Sequence, residues 1–291
     1  MFGFRKNQLY AEPCIVCNSN SFKHYHTANN YDILRCNKCG LFFIDKIEGV
    51  DIENFYEHKY FHNEDDDLVG YRNYAAWYEV SNNNYTRLLE LLKKYKKKGS
   101  RLLDVGCAMG GFVNIANEMG WQAMGIDPSE YAIKMGRARS RVNIQHCYFE
   151  DFNPEEKSYD VITFIGVFEH LANPLKELKK IIGILSPGGI LLITTLNAGR
   201  FFHIFKFKPP EHLFYFSGPQ LNKLLKNTGF MVLKSKPYFR SYSLSEFSYR
   251  VNSLLFPWMV KYCESLFRRF PTLDIVARFP TNEMLIIAKK I

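Results

Sequence analysis

No stretch of this 291-residue chain approaches the ~18 consecutive apolar residues that a membrane span needs. Internal repeats and low-complexity tracts are also missing, and with them the signature of solenoids and biased linkers. The opening residues, MFGFRKNQLYAEP, have neither an apolar h-region nor a small-residue cleavage site. No secretory signal is read there, and the cytoplasm is the expected compartment. Acids are scarce in the last third. Residues 200–291 carry 5 Asp+Glu against 15 Lys+Arg, a net +10 that accounts for the whole of the chain's +9. A one-sided field of this kind suits an anionic partner: a phosphate-bearing substrate, an anionic membrane surface or a nucleic acid. Solubility alone accounts for it equally well.

What is present reads as a globular protein. Hydrophobic residues make up 47% and charged residues 23%, enough apolar material for a sizeable core. The length suits one large domain, or one with a small appendage.

Seven cysteines are unevenly placed. Cys14-Ile-Val-Cys17 and Cys36-Asn-Lys-Cys39-Gly40 form two CxxC pairs. Each pair turns two thiolates to one side of a tight knuckle, and two knuckles complete a tetrahedral S₄ site for Zn²⁺. Four protein ligands leave no open position, so such a zinc is structural. A disulfide pair and a redox CxxC are the alternatives. A cytoplasmic setting disfavours the first and the lack of a βαβ context the second. His24 and His26 lie between the knuckles and read as surface residues. Cys107, Cys147 and Cys263 read as core or near-core thiols.

The chain divides into a zinc-binding module over 1–45, a linker with cap helices over 46–98 and a main domain over 99–291. Residues 84–98 read as an amphipathic helix ending at Gly99. In the main domain, strands are predicted at 101–105, 121–126, 142–146, 160–166, 189–195, 230–236 and 283–288. Helices are predicted at 110–119, 129–139, 173–185 and 217–227. Such alternation implies an α/β fold with a doubly wound, mostly parallel sheet. Residues 241–271 break it with helical apolar spacing and basic residues off the stripe. That insertion reads as packing on the core, as a cap over a substrate or as a peripheral membrane contact.

The most informative run is Leu102-Leu103-Asp104-Val105-Gly106-Cys107-Ala108-Met109-Gly110-Gly111-Phe112, a strand entering a glycine-bearing turn and then a helix. Glycines let a ligand approach the backbone, and a helix N-terminus offers free N–H groups. Alone, the run would also suit a dinucleotide binder. Asp127 follows about twenty residues later at a strand end, where an acid can hydrogen-bond ribose hydroxyls. Glu150 and Asp151 follow the third strand. Asp160–His170 and then Pro174 complete the series.

These motifs, in this order, resemble the class I S-adenosylmethionine-dependent methyltransferases over roughly residues 100–237 and the last strand. LLDVGCAMGGF is similar to that family's first motif, GIDPS to its second, DVITFIGVFEHLANP to its fourth and LSPGGILLITTLN to its fifth. The whole chain resembles a bacterial branch, which includes sugar C-methyltransferases, with a CxxC…CxxC module ahead of the catalytic domain and a PPEHLFYFS-like segment. The resemblance implies a seven-stranded Rossmann-like domain with a small N-terminal zinc ribbon. It implies S-adenosylmethionine as cofactor, its amino-acid portion held by Asp104 and the turn of Gly106, Cys107, Ala108 and Gly110. Asp127 would bind the ribose, Glu150 or Asp151 would face the adenine, and Gly166 and Val167 would line the methionine side. Ala108 stands where that family usually has glycine, tolerable if its φ is negative. Pro209 stands where the sugar enzymes carry tyrosine.

Methyl transfer needs a nucleophile aligned with the sulfonium carbon and relieved of its proton. His212 and His170 are the candidate bases, with Glu211 and Glu169 as orienters. A methionine-pocket cap for His170 and a loop-anchoring hydrogen bond for His212 are the plainer roles. Tyr71, Tyr74 and Tyr78 could form a lid or simply pack. The function expected is methylation of a small biosynthetic intermediate, such as a sugar or carrier-linked sugar. An RNA methyltransferase with a zinc module is the alternative. It is disfavoured by the module's near-neutral charge and the lack of an Asn-Pro-Pro-Tyr-like motif. A non-catalytic zinc-ribbon scaffold is the third reading.

Overall fold

The computed structural model describes residues 13–44, 74–199, 207–244 and 275–291, with isolated positions between 262 and 270. Two sheets organise them. The larger has seven strands in the order β10-β11-β8-β7-β4-β5-β6. Its strands are β4 (Arg101–Val105), β5 (Gln122–Asp127), β6 (Ile144–His146), β7 (Tyr159–Ile165), β8 (Leu185–Leu196), β10 (Phe230–Ser243) and β11 (Val276–Lys290). β11 is antiparallel to both its neighbours, β8 and β10, while β4 to β8 pair in parallel.

Parallel strands need crossovers, and the helices supply them on both faces. α1 (Tyr74–Leu92), α2 (Gly111–Glu118) and α3 (Glu130–Arg139) cover one face. There Leu88, Leu89, Leu92, Phe112, Val113 and Ile133 share a core with Leu102 and Val161. α4 (Pro174–Ile184) and α5 (Gly218–Asn227) cover the other, where Leu178, Ile181, Leu221 and Leu224 pack with Leu103 and Val105. Both faces of β4 are therefore buried, which is why it reads as a continuous apolar run.

Local chemistry sets the helix starts. Ser129 caps α3 by accepting from the Ala132 N–H, and Asn173 caps α4 by accepting from that of Lys176, with Pro174 at the first helical position. Each N-terminus thus faces the carboxyl ends of the strands, where the site lies.

Two expectations are adjusted. α1 begins ten residues before position 84 and ends at Leu92, so the whole lysine run, Lys93–Lys98, lies beyond it. Residues 241–243, expected in the helical insertion, continue β10, because they pair with Arg278, Ala277 and Val276 of β11. Most of the remainder of 241–271, Cys263 included, lies outside the described residues, as do Tyr71 and the side chains of Tyr74 and Tyr78.

The N-terminal strands β1 (Phe22–Ala28), β2 (Tyr31–Cys36) and β3 (Phe42–Ile44) form the smaller sheet, which is not self-contained. Its fourth strand is β9 (Phe214–Tyr215), a segment of the main domain, with Phe42 opposite Tyr215 and Phe43 opposite Phe214. Cys14, Cys36, Leu41 and Phe43 belong to the same core as Phe168, Leu213 and Leu221. No helix among the described residues is long and apolar enough to cross a membrane.

Candidate active site

The strand–turn–helix of β4 and α2 makes one end of the site. Gly106, Ala108 and Gly110 all have positive φ, 73°, 48° and 77°. Only this alternation bends the chain sharply enough to present the α2 N-terminus, capped by Gly110 without a side chain. At Gly106 a side chain is excluded twice. The φ is left-handed, and an added Cβ would stand 2.4 Å from Val167 Cγ2. At Ala108 the φ is positive, so the negative φ on which tolerance of an alanine there is conditioned is not met. The Ala108 N–H donates to Asp127 Oδ2 at 2.8 Å, and that bond holds the alanine in the left-handed region.

Asp127, at the end of β5, is buried. Its other carboxylate oxygen accepts from the Ser129 N–H at 2.9 Å, so two backbone bonds fix its orientation. Burial pushes its pKa up, against the pull of those two N–H donors. Asp104 is also buried, and accepts from Thr163 Oγ1 at 2.6 Å. Burial raises it to about 7, with the Asp127 charge adding to the rise and the Thr163 bond opposing it. Cys107 is buried behind the turn, its thiol driven up by the same burial. Two close buried carboxylates need a cationic or hydroxyl-bearing partner to be at ease.

Gly166 and Val167 follow β7 and close this end. Among the described residues, a Cβ at Gly166 would meet only Arg240 Nη2, at 4.0 Å. Arg240 is paired with Glu283 at 2.9 Å. Glu150 is half-buried and Asp151 exposed. Lys180 fastens their turn from behind, with Nζ donating to the carbonyls of Phe149 and Glu150 at 2.6 and 2.7 Å.

The histidines gather three residues past Val167. The ring centroids of His170 and His212 are 4.8 Å apart, in a T-shaped contact. His170 Nδ1 lies 2.6 Å from the Glu211 carbonyl, which only accepts, so Nδ1 carries the proton in that bond. Glu169 is buried, accepts from Thr195 Oγ1 at 2.6 Å through its carboxylate and from the Leu213 N–H at 2.9 Å through its carbonyl. Glu211 Oε1 is 3.8 Å from His212 Nε2. His212 is buried, and its Nδ1 has no hydrogen-bond partner among the described residues. Burial, reinforced by His170 and Lys208, holds its pKa well below the usual value, so the ring is neutral near pH 7.

The structure thus brings Asp104, Gly106, Cys107, Ala108, Gly110, Asp127 and Gly166 to one end, and His170, His212 and Glu211 to the adjoining one. Glu150 and Asp151 sit on the turn after β6. Thr163 and Thr195, which orient Asp104 and Glu169, were missed in the sequence. Strand threonines look like ordinary β-formers; parallel register sets Thr163 beside Asp104, and the turn after β7 brings Glu169 to Thr195 near the end of β8.

The four module cysteines converge. Cys14 and Cys39 Sγ are 3.5 Å apart, as are Cys17 and Cys36, and all four lie within 4.8 Å of one another. A tetrahedral ion with bonds of ~2.3 Å would set its sulfurs ~3.8 Å apart, so this cluster fits zinc. Disulfide bonding, at ~2.05 Å, does not describe it. The hydrogen bond from Cys39 draws the Cys14 thiol down to about 5 and drives Cys39 upward: one thiol ionises at the other's expense, and a dication would let all four do so. His24 and His26 are exposed and outside this cluster.

A family model described as a methyltransferase domain matches residues 74–235. The chain belongs to that methyltransferase family. S-adenosylmethionine is the cofactor this family implies, and the open turn, the α2 N-terminus and the two acids suit it. Among curated proteins the chain is similar to a ubiquinone biosynthesis O-methyltransferase of Xanthomonas campestris, 31% identical over 120 residues, 39% of this chain and 50% of that protein. It is also similar to one from Coxiella burnetii, 26% identical over 136 residues, 45% and 58% of the two chains. The chain spans about half the length of the curated relatives it matches. A Bacillus halodurans protein, described as a methyltransferase candidate, shares the fold with a TM-score of 0.53 at 17% identity, over 72% of this chain and 99% of that one. The YcgJ protein of Bacillus subtilis does so with a TM-score of 0.50 at 15% identity, over 70% and 98%.

Proposed function

We propose that the chain is an S-adenosylmethionine-dependent methyltransferase acting on a small biosynthetic intermediate, with a sugar or carrier-linked sugar as the favoured substrate class. The observation that carries this reading is the adjacency of two unlike ends. One is a buried, acid-lined turn at a helix N-terminus; the other, reached through Gly166 and Val167, is a buried histidine pair. When bound, the cofactor supplies an electrophilic methyl group. Asp127 binds the ribose hydroxyls with the lone pairs its backbone bonds leave. Asp104 and the Gly106–Gly110 turn hold the amino-acid portion, Glu150 or Asp151 faces the adenine, and the Gly166–Val167 backbone lines the methionine side. His212, kept neutral by burial, accepts the acceptor's proton, with Glu211 and His170 orienting it. The basic last third meets phosphates of a carrier. A zinc ion at Cys14, Cys17, Cys36 and Cys39 is structural.

The matched relatives favour a second acceptor class, a ubiquinone-type intermediate methylated on oxygen. The sugar reading rests on the zinc module and the Glu211-His212 segment, which the resemblance to the sugar branch includes.

Calorimetric titration with S-adenosylmethionine separates the two ends. Asp127→Asn should weaken binding about 10- to 100-fold, since a hydrogen bond to a charged group is being lost. His212→Ala should leave affinity within about 3-fold while lowering turnover about 10²- to 10⁴-fold once an acceptor is in hand. Full activity in His212→Ala would remove it from the mechanism, and unaltered binding by Asp127→Asn would remove the ribose assignment.

A further inference from the structure

We propose that the four-cysteine module is the positioning element for the acceptor-end histidines: metal at the cysteines locks β3, β3 locks β9, and β9 fixes His212. The role given to His212 rests on the function proposed above; the mechanical coupling does not.

Three independent ties join the module to this one segment. The first is the ladder itself, in which Phe42 and Phe43 pair with Tyr215 and Phe214 and the Ile44 N–H donates to the Leu213 carbonyl at 3.0 Å. Leu213 is the residue after His212, and its own N–H is held by the Glu169 carbonyl. The second tie runs from the metal knuckle. Gln220 Nε2 donates to the Cys39 carbonyl at 2.8 Å, while Gln220 Oε1 accepts from the Ser217 N–H, just beyond β9. The third comes from the β1–β2 turn, where Asn29 Nδ2 donates to the Pro209 carbonyl at 2.9 Å, three residues before His212.

Side-chain packing follows the same route. Ile33, Phe42 and Tyr215 form a small buried cluster of their own, with Phe207 packed against it. Tyr25, Phe207 and Tyr215 continue as ring contacts of 5.9 and 4.8 Å, and Tyr215 lies 6.0 Å from the His212 ring. None of these hydrogen bonds and ring contacts reaches the β4–α2 turn or Asp127; with β4 and β5 the module shares apolar packing, in the core that holds Leu103, Val105 and Ile126. A sheet of three short strands gains its order from a knuckle metal rather than from burial. Loss of that metal therefore releases the acceptor end first.

The test uses the full chain in zinc-loaded and chelator-stripped forms, with two variants that leave every thiol in place. Gln220→Glu keeps the acceptor for Ser217 and removes the donor to Cys39; Asn29→Asp removes the donor to Pro209. The readouts are hydrogen exchange, the imidazole NMR signals of His170 and His212, zinc content and S-adenosylmethionine affinity. Stripping should speed exchange over Leu213–Phe216 by about 10-fold or more and shift the His212 signal. Exchange over 101–127 and cofactor affinity should hold within about 3-fold. Both variants should retain one zinc per chain and move the same His212 signal. The proposal is overturned if stripping leaves Leu213–Phe216 and His212 unchanged, or if protection over 101–127 collapses equally, which would mark a global structural metal. Failure of the zinc-loaded chain to bind S-adenosylmethionine would count against the function proposed above; the exchange comparison would still decide the coupling.

Discussion

Ala108 is the residue whose conformation and chemistry disagree most. A left-handed φ of 48° costs an alanine roughly 1–2 kcal/mol, and the bond from its N–H to Asp127 keeps it there. Ala108→Gly should therefore stabilise the fold by about 0.5–1 kcal/mol, after subtracting the extra freedom glycine brings to the unfolded chain. Urea unfolding reads this directly, and a destabilised variant would refute the strain assignment. Asp104 carries the second residue-scale prediction. Its pKa, raised to about 7, lies above the ~3.9 of an unfolded chain. Its contribution to stability is thus fully present below about pH 4 and is lost as pH rises through about 7. In the cofactor-free protein, the stability of wild type relative to Asp104→Asn should fall between pH 5 and pH 8, followed by urea melts. A difference that stays level or grows would show that Asp104 is not strained by burial. Saturating S-adenosylmethionine, a cation, should flatten the slope if Asp104 faces its amino-acid portion.

At the scale of elements, legibility tracked how local the determinants are. β4, α2, β5, α3 and α5 were readable because apolar period, glycine turns and caps such as Ser129 act within a few residues. The four cysteines were readable because metal geometry restricts their spacing. β9 was not: Phe214–Tyr215 is two residues long and exists only because β3, some 170 residues earlier in the chain, lies beside it. Tertiary pairing of this kind leaves no periodic trace. The same holds for α1, whose first ten residues crowd their apolar positions into Tyr74–Val80 rather than spacing them at a helical period, and for residues 241–243, drawn into a strand by β11. Within the site, the acids and histidines were legible and the hydrogen-bonding threonines beside them were not. Side chains with unusual chemistry show in a sequence; their partners are ordinary residues selected by register.

For the whole molecule, the acid-lined turn and the histidine pair lie at the carboxyl ends of one mostly parallel sheet, and a second small sheet joins the main domain through β9, next to His212. Strand-end placement follows from the fold, since doubly wound sheets bind ligands outside their carboxyl ends. Residues 200–291 carry the basic excess, to which the phosphate-bearing acceptor class proposed above would respond. The most direct measurement incubates the purified chain and methyl-tritiated S-adenosylmethionine with extract of the source cell, then separates RNA, protein, lipid and polar small molecules. The account predicts label in the polar or lipid-linked fraction, lost in Asp127→Asn and His212→Ala. Label confined to RNA would contradict it and recast the basic last third as a nucleic-acid surface.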